Sequence, residues 1–258
     1  MIEAKENSPA PEQSDVRVAL LSDKGPVRSA NEDSCGHRTV PSATTLVVVA
    51  DGVSGYHAAD VASQMAVEVT LEAYERQDTS MRAEARLARA AQEANISIYD
   101  RSMVVPELRG MATTLTAVAI SDGQLAAAHV GDSRLYLVRG NRALQLTKDH
   151  RSGKVALTRS VGRELIVAID KITRPLEPED VLVLCTDGLH NVISDGDIAR
   201  LASDADPDGA CRALVDAALA AGADDNLTVA VVRMPAGPPR PRPATFGDRL
   251  RRLVGKAR

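Results

Sequence analysis

Three stretches of the chain are almost wholly apolar at strand length: TLVVVA at residues 45–50, VLVLCT at 181–186 and LTVAVV at 227–232. Runs this short and this uniformly apolar fit strands buried on both faces. Val16–Leu21 reads as a further strand, and the first of the three runs extends to Thr44–Ala50. From Ala58 to Arg76 the period lengthens, and Val61, Met65, Val69 and Ala73 fall on one helical face. Met81–Tyr99 is Ala-rich with Arg and Glu spread along it, which predicts a second helix. Four shorter runs follow: Thr113–Ile120, Leu125–Val130, Leu135–Val138 and Ala143–Leu146. Asp122-Gly123 and Gly140-Asn141 stand between them as hairpin turns, so the spacing predicts one antiparallel meander. Val167–Thr173 and Val181–Leu184 continue as strands, and Asp195–Ala202 and Pro207–Ala221 as helices, with Asp195 as N-cap of the first. This order lacks the regular strand–helix alternation of a doubly wound sheet. It predicts an α+β fold of antiparallel sheets covered by helices.

Each of the three apolar runs adjoins an aspartate: Asp51 before Gly52, Asp187 before Gly188, and Asp225 before Asn226. Taken singly, Asp-Gly and Asp-Asn are ordinary turn dipeptides. As a set they matter, because a carboxylate at a buried strand end is costly without a partner. Carboxylates from several strand ends can converge at one sheet edge, where hard oxygen ligands suit Mg²⁺ or Mn²⁺. After the first strand, Arg28 precedes Glu32 and Asp33 in a polar loop. Its planar fork suits a phosphoryl group, and the two acids add oxygen ligands.

Composition narrows the function classes. The chain has 258 residues, 44% hydrophobic, with no Trp, one Phe and four Tyr, so its core is aliphatic. Without aromatic stacking platforms and with a net charge of −4, it offers neither surface nor field for nucleic acid. Cys35, Cys185 and Cys211 are odd in number and far apart, the usage of reduced thiols rather than a disulfide frame or zinc site. The N-terminus lacks an apolar signal core and no apolar stretch reaches membrane-spanning length. The expected protein is soluble, cytoplasmic and monomeric. Residues 1–14 read as a disordered lead, 15–234 as one folded domain, 235–245 as a stiff Pro-rich linker and 246–258 as a basic tail. In that tail Phe246, Leu250, Leu253 and Val254 share a helical face. It reads first as solvated, with contact to an anionic membrane surface or an acidic partner as the alternative.

The motifs occur in an order that resembles the metal-dependent protein serine/threonine phosphatases of the PPM, or type 2C, family, its bacterial branch above all. They are GPVRSANED at 25–33, VADGVSG at 49–55, GMATT at 110–114, HVGDSR at 129–134, LTKDH at 146–150, LTRSVG at 157–162, CTDGL at 185–189 and DNLTV at 225–229. Each is weak alone; in sequence they are specific. The resemblance implies a four-layer αββα sandwich, two antiparallel sheets flanked by helices. It implies two Mn²⁺ or Mg²⁺ ions, with Asp51 bridging them, the Gly52 carbonyl helping to hold the second, and Asp187 and Asp225 completing the first. Asp33 would hold metal-bound water, Arg28 the substrate phosphate, and Asp132 a third, weaker ion. The implied reaction is hydrolysis of phosphoserine and phosphothreonine by direct attack of a metal-bridging hydroxide, on substrates of a cytoplasmic Ser/Thr kinase. A phosphatase-like sensor without turnover and a small-molecule phosphomonoesterase are the alternatives.

Two departures stand out. Val53 occupies the place where some relatives carry a histidine proposed as proton donor; His57 lies nearby and reads as a solvated loop residue, while Tyr56 could cover the site. Between His150 and Leu157, where relatives carry a flap of about two dozen residues, a length rare for a plain connection, this chain has RSGKVA at 151–156. The resemblance then implies a missing flap, an open cleft and a weakened Asp132 site. Arg151 and Lys154 read as solvated charges, with contact to a phosphopeptide as the alternative.

Overall fold

The apolar runs of the sequence become the central strands of two sheets. A computed structural model describes residues 16–40, 43–53, 58–153 and 156–237. The expected N-terminal lead, the basic tail and all of the Pro-rich linker beyond Gly237 lie outside them, as do Tyr56, His57 and Lys154. One sheet carries β1 (Arg17–Asp23), β12 (Leu227–Arg233), β11 (Val181–Cys185), β6 (Arg134–Arg139) and β7 (Arg142–Gln145), in that order. The other carries β10 (Asp170–Pro175), β5 (Gln124–Val130), β4 (Leu115–Ser121), β3 (Thr44–Asp51) and β2 (Asp33–Val40). Every pairing is antiparallel.

Between the sheets, Val47, Val49, Val118 and Leu125 meet Leu135, Leu182, Leu184 and Val232. α1 (Ala59–Arg76) and α2 (Ala83–Val104) cover the outer face of the β2–β3–β4–β5–β10 sheet. α4 (Asp195–Ser203) and α5 (Pro207–Ala220) cover the other, giving the expected four layers. Both sheets are therefore buried on two faces, which is why β3, β11 and β12 are apolar along most of their length.

The structure corrects the local reading in four places. The expected meander is two hairpins in different sheets, β4–β5 in one and β6–β7 in the other. Their turns are as expected: Asp122 and Gly123 take φ 49° and 68°, and Gly140 takes 58°. α1 buries Ala62, Ala66, Val67, Leu71 and Tyr74, while Val61, Met65 and Val69 are only partly buried. Small residues on the inward face let the helix lie close to the sheet. Ser194, not Asp195, caps α4, its hydroxyl accepting from Asp197 N–H. The strand expected at Val167–Thr173 begins at Asp170.

One buried histidine ties β5 to the chain beyond β7. His129 is fully buried. Its Nε2 lies 3.2 Å from the Lys148 carbonyl and its Nδ1 3.0 Å from the Thr116 hydroxyl. A carbonyl only accepts, so Nε2 carries a proton. Burial, helped by the facing His150, lowers its pKa from 6.5 to about 4. The unfolded chain therefore takes up a proton that the folded one refuses, and this contribution is lost as pH falls from 6.5 towards 4. We expect the stability difference between wild type and H129Q to shrink by on the order of 3 kcal/mol between pH 7 and pH 4. Denaturant titrations across that range test this; a constant difference would contradict it.

Candidate active site

The carboxylates gather at one end of the sandwich, each brought there by a strand end. Asp33 opens β2 and Asp51 ends β3, and they are direct cross-strand partners. Like charges so placed repel. On the facing sheet, only Thr186 separates Asp187 from the end of β11, and only Asn226 separates Asp225 from the start of β12. β11 and β12 are paired, and the Thr186 N–H donates to the Thr228 carbonyl at 3.0 Å. Asp132 lies in the turn between β5 and β6.

Neither Gly52 nor Gly188 is the turn glycine that the dipeptides predict, since neither takes a positive φ. Each permits a close approach instead. A Cβ on Gly52 would lie 2.5 Å from the Ala59 carbonyl oxygen, and one on Gly188 2.0 Å from that of Asn226. The backbone of Asp51 is fixed from three sides. Its N–H donates to Thr114 Oγ1 (2.9 Å), and its carbonyl accepts from Thr114 N–H (2.8 Å) and Thr113 Oγ1 (2.8 Å).

Three positioning residues escaped the sequence reading. Asn226 is 5% exposed; its Nδ2 donates to the carbonyls of Lys24 (2.8 Å) and Ala30 (2.9 Å), and its Oδ1 accepts from Glu32 N–H (2.8 Å). It fastens the Arg28 loop to Asp225. Thr186 Oγ1 donates to Asp33 Oδ2 (2.9 Å) and accepts from Thr228 N–H (3.0 Å), joining the two sheets at the site. His190 Nε2 donates to the Asp132 carbonyl (2.9 Å). All three contacts join positions remote in sequence, so no local pattern announces them.

These acids line or underlie a cleft of about 700 Å³ whose walls include Arg28, Asp51, Gly52, Asp132, Arg151 and Asp187. Burial pushes the Asp33 carboxyl up to about 7 against hydrogen bonds from Thr228 and Thr186, with Asp187 and Asp225 adding repulsion. Asp51 is pushed well above the usual carboxylate range by burial, then by Asp33, Asp187, Asp132 and Asp225. Asp132 rises to about 6 through burial and Asp187, opposed by Arg151. Burial and then Asp225 raise Asp187. Asp33, Asp51, Asp132 and Asp187 are thus each costly to charge in this cluster, a conflict that a divalent cation removes. The cleft walls contribute carboxylate and carbonyl oxygen, and among the described residues neither His nor Cys lines them. That donor set fits Mg²⁺ or Mn²⁺.

Protein donors hold several of these oxygens. Arg28 Nη2 donates to Asp225 Oδ2 (2.7 Å), Asn191 Nδ2 to Asp187 Oδ2 (3.1 Å), and Arg151 Nη1 lies 3.3 Å from Asp132 Oδ2. In this arrangement, no three His, Cys, Asp or Glu side chains among the described residues enclose a cation unaided. Arg151, expected as a solvated charge, has a side chain only 20% exposed and turned into the cleft.

Comparison with known proteins agrees with this geometry. The family model for protein phosphatase 2C matches residues 27–227. The serine/threonine phosphatase stp of Listeria welshimeri is 33% identical over 240 residues, 84% of this chain and 95% of that protein. Protein phosphatase PhpP of Streptococcus pneumoniae is 34% identical over 241 residues, 85% of this chain and 98% of that protein. Among solved structures, the catalytic domain of the serine threonine protein phosphatase PstP in complex with two manganese ions superposes with a TM-score of 0.75 at 31% identity. The match covers 85% of this chain and 98% of that one. The chain belongs to the protein phosphatase 2C family, in its bacterial branch.

Proposed function

We propose that this chain is a divalent-metal-dependent protein phosphatase that transfers the phosphoryl group of phosphoserine or phosphothreonine directly to water. The observation that carries the reading is the convergence of Asp33, Asp51, Asp132, Asp187 and Asp225 on a cleft that also presents Arg28. Asp51, Asp187, Asp225 and the Gly52 carbonyl would hold the two ions, the carbonyl helping with the second, and Asp33 would hold water beside them. Bound Mn²⁺ or Mg²⁺ would supply the Lewis acidity that generates an attacking hydroxide near neutral pH and offsets phosphoryl charge.

The protein's own part is positioning and charge. Arg28 is partly exposed, with side-chain accessibility of 38%, and its guanidinium can exchange the Asp225 carboxylate for a substrate phosphate. Among the described residues lining the cleft, Thr114 has the single hydroxyl, and it is engaged by Ser133 and the Asp51 N–H. With that hydroxyl so engaged, the arrangement is in keeping with direct attack by water. Val53 lines the cleft and carries no proton to give, so the leaving alkoxide takes its proton from water or from another group.

The partners follow from this chemistry: phosphoproteins, the products of a Ser/Thr kinase in the same compartment. A cytoplasmic monomer with its catalytic domain at 15–234 fits the reading. No helix among the described residues is long and apolar enough to cross a membrane. Among the described residues between His150 and Thr158, β8 (Arg151–Ser152) pairs with β9 (Ala156–Leu157), in keeping with a shortened flap.

Dephosphorylation of a phosphothreonine peptide tests the proposal. Turnover is expected to require Mn²⁺ or Mg²⁺ and to stop in excess chelator. R28A is expected to raise KM by about ten-fold or more through loss of a charge-assisted bond. Full turnover in chelator, or an unchanged KM in R28A, would contradict it.

A further inference from the structure

We infer that Arg151 is a resident cation of the cleft, serving Asp132 in the place of a metal ion, so that the cleft takes up two divalent cations and no third. This rests on the metal-centre reading above and concerns which of its carboxylates remain open to metal. The position of Arg151 is set by its neighbour. His150 N–H donates to the Gly131 carbonyl (2.7 Å), and Gly131 N–H donates to His150 Nδ1 (3.1 Å). Residue 151 is thereby held beside residue 132. On its other side, the Thr158 N–H donates to the His150 carbonyl (2.8 Å), and Arg151 pairs with Leu157 across the hairpin. His150 is itself fixed, its Nε2 3.1 Å from Asp170 Oδ2. Arg151 therefore reaches Asp132 from an anchored backbone.

Comparison with Arg28 shows why the two pairs behave differently. Arg28 and Asp225 have side chains 38% and 30% exposed, on the cleft rim. Such a pair is weakly held and gives up its carboxylate readily. Arg151 and Asp132 are 20% and 8% exposed. An ion arriving at Asp132 must expel a guanidinium from a largely desolvated pair and leave that charge uncompensated. Asp225 is thus free to change partners, and Asp132 is not.

The test is a count of Mn²⁺ bound per full-length chain by equilibrium dialysis at saturating ion, with no turnover involved. Wild type is expected to hold two ions and both R151A and R151M three. R151K, which keeps a positive charge at the position, is expected to return to two. A third ion on wild type, a count of two in both neutral variants, or a third ion on R151K would each overturn the inference. Wild type holding fewer than two would bring down the metal centre itself and this inference with it, an outcome distinguishable from the others by the missing ions.

Discussion

Asp187→Asn is expected to lower kcat/KM on phosphate esters by at least about 10³-fold, the scale on which charge stabilisation contributes at such sites, while the metal-free protein melts higher than wild type. The two effects share one cause. Asp187 is costly to charge because burial and the neighbouring Asp225 oppose it, and the attraction of Arg151 and Arg28 does not compensate. An amide of the same shape removes that repulsion and can still accept from Asn191 Nδ2, now 3.1 Å from Oδ2. Relief of about 1 kcal/mol would raise the midpoint by roughly 2–4 °C in a domain of this size. It would also remove an anionic ligand that the ions need. Activity near the wild-type level would remove Asp187 from the metal centre. A lower melting point in the metal-free variant would mean that Asp187 is a structural ion-pair partner.

Gly188→Ala should damage stability and metal binding together. A Cβ at 188 would lie 2.0 Å from the Asn226 carbonyl oxygen and 3.3 Å from Asp225 Cβ. Asn226 cannot retreat cheaply, because Lys24, Ala30 and Glu32 hold it by hydrogen bonds. The strain therefore falls on the short helix α3 (Asp187–His190), parting Asp187 from Asp225. Overpacking of this kind costs about 1–3 kcal/mol, and Mn²⁺ affinity is expected to fall about ten-fold or more as the ligand pair separates. Gly196→Ala is the comparison: its nearest neighbour is Ser194 Oγ at 3.7 Å, so a methyl there meets only ordinary contact. Thermal melts and Mn²⁺ titrations of both variants decide the matter, and a G188A protein indistinguishable from wild type in both would contradict it.

What the sequence made legible follows from how local each cause is. β3, β11 and β12 declare themselves because burial on both faces makes nearly the whole run apolar, and the aspartates beside them are found by adjacency. β2 does not, being an edge strand whose outer positions include the polar His37 and Arg38. The β4–β5 and β6–β7 turns are visible in Asp122-Gly123 and Gly140-Asn141, but which sheet each hairpin joins is a long-range matter, and a single meander was the wrong extrapolation. Gly52 and Gly188 looked like turn residues because their true constraints, the carbonyls of Ala59 and Asn226, are distant or unseen in one dimension. Arg151 looked solvated for the same reason: its environment is made by the His150–Gly131 contact.

The measurement closest to the central claim is an anomalous difference map from crystals grown with Mn²⁺. Two peaks are expected, with Asp51 between them, Asp187 and Asp225 on one, and the Gly52 carbonyl on the other. Peaks absent from this cleft, with Asp225 still paired to Arg28, would contradict the account.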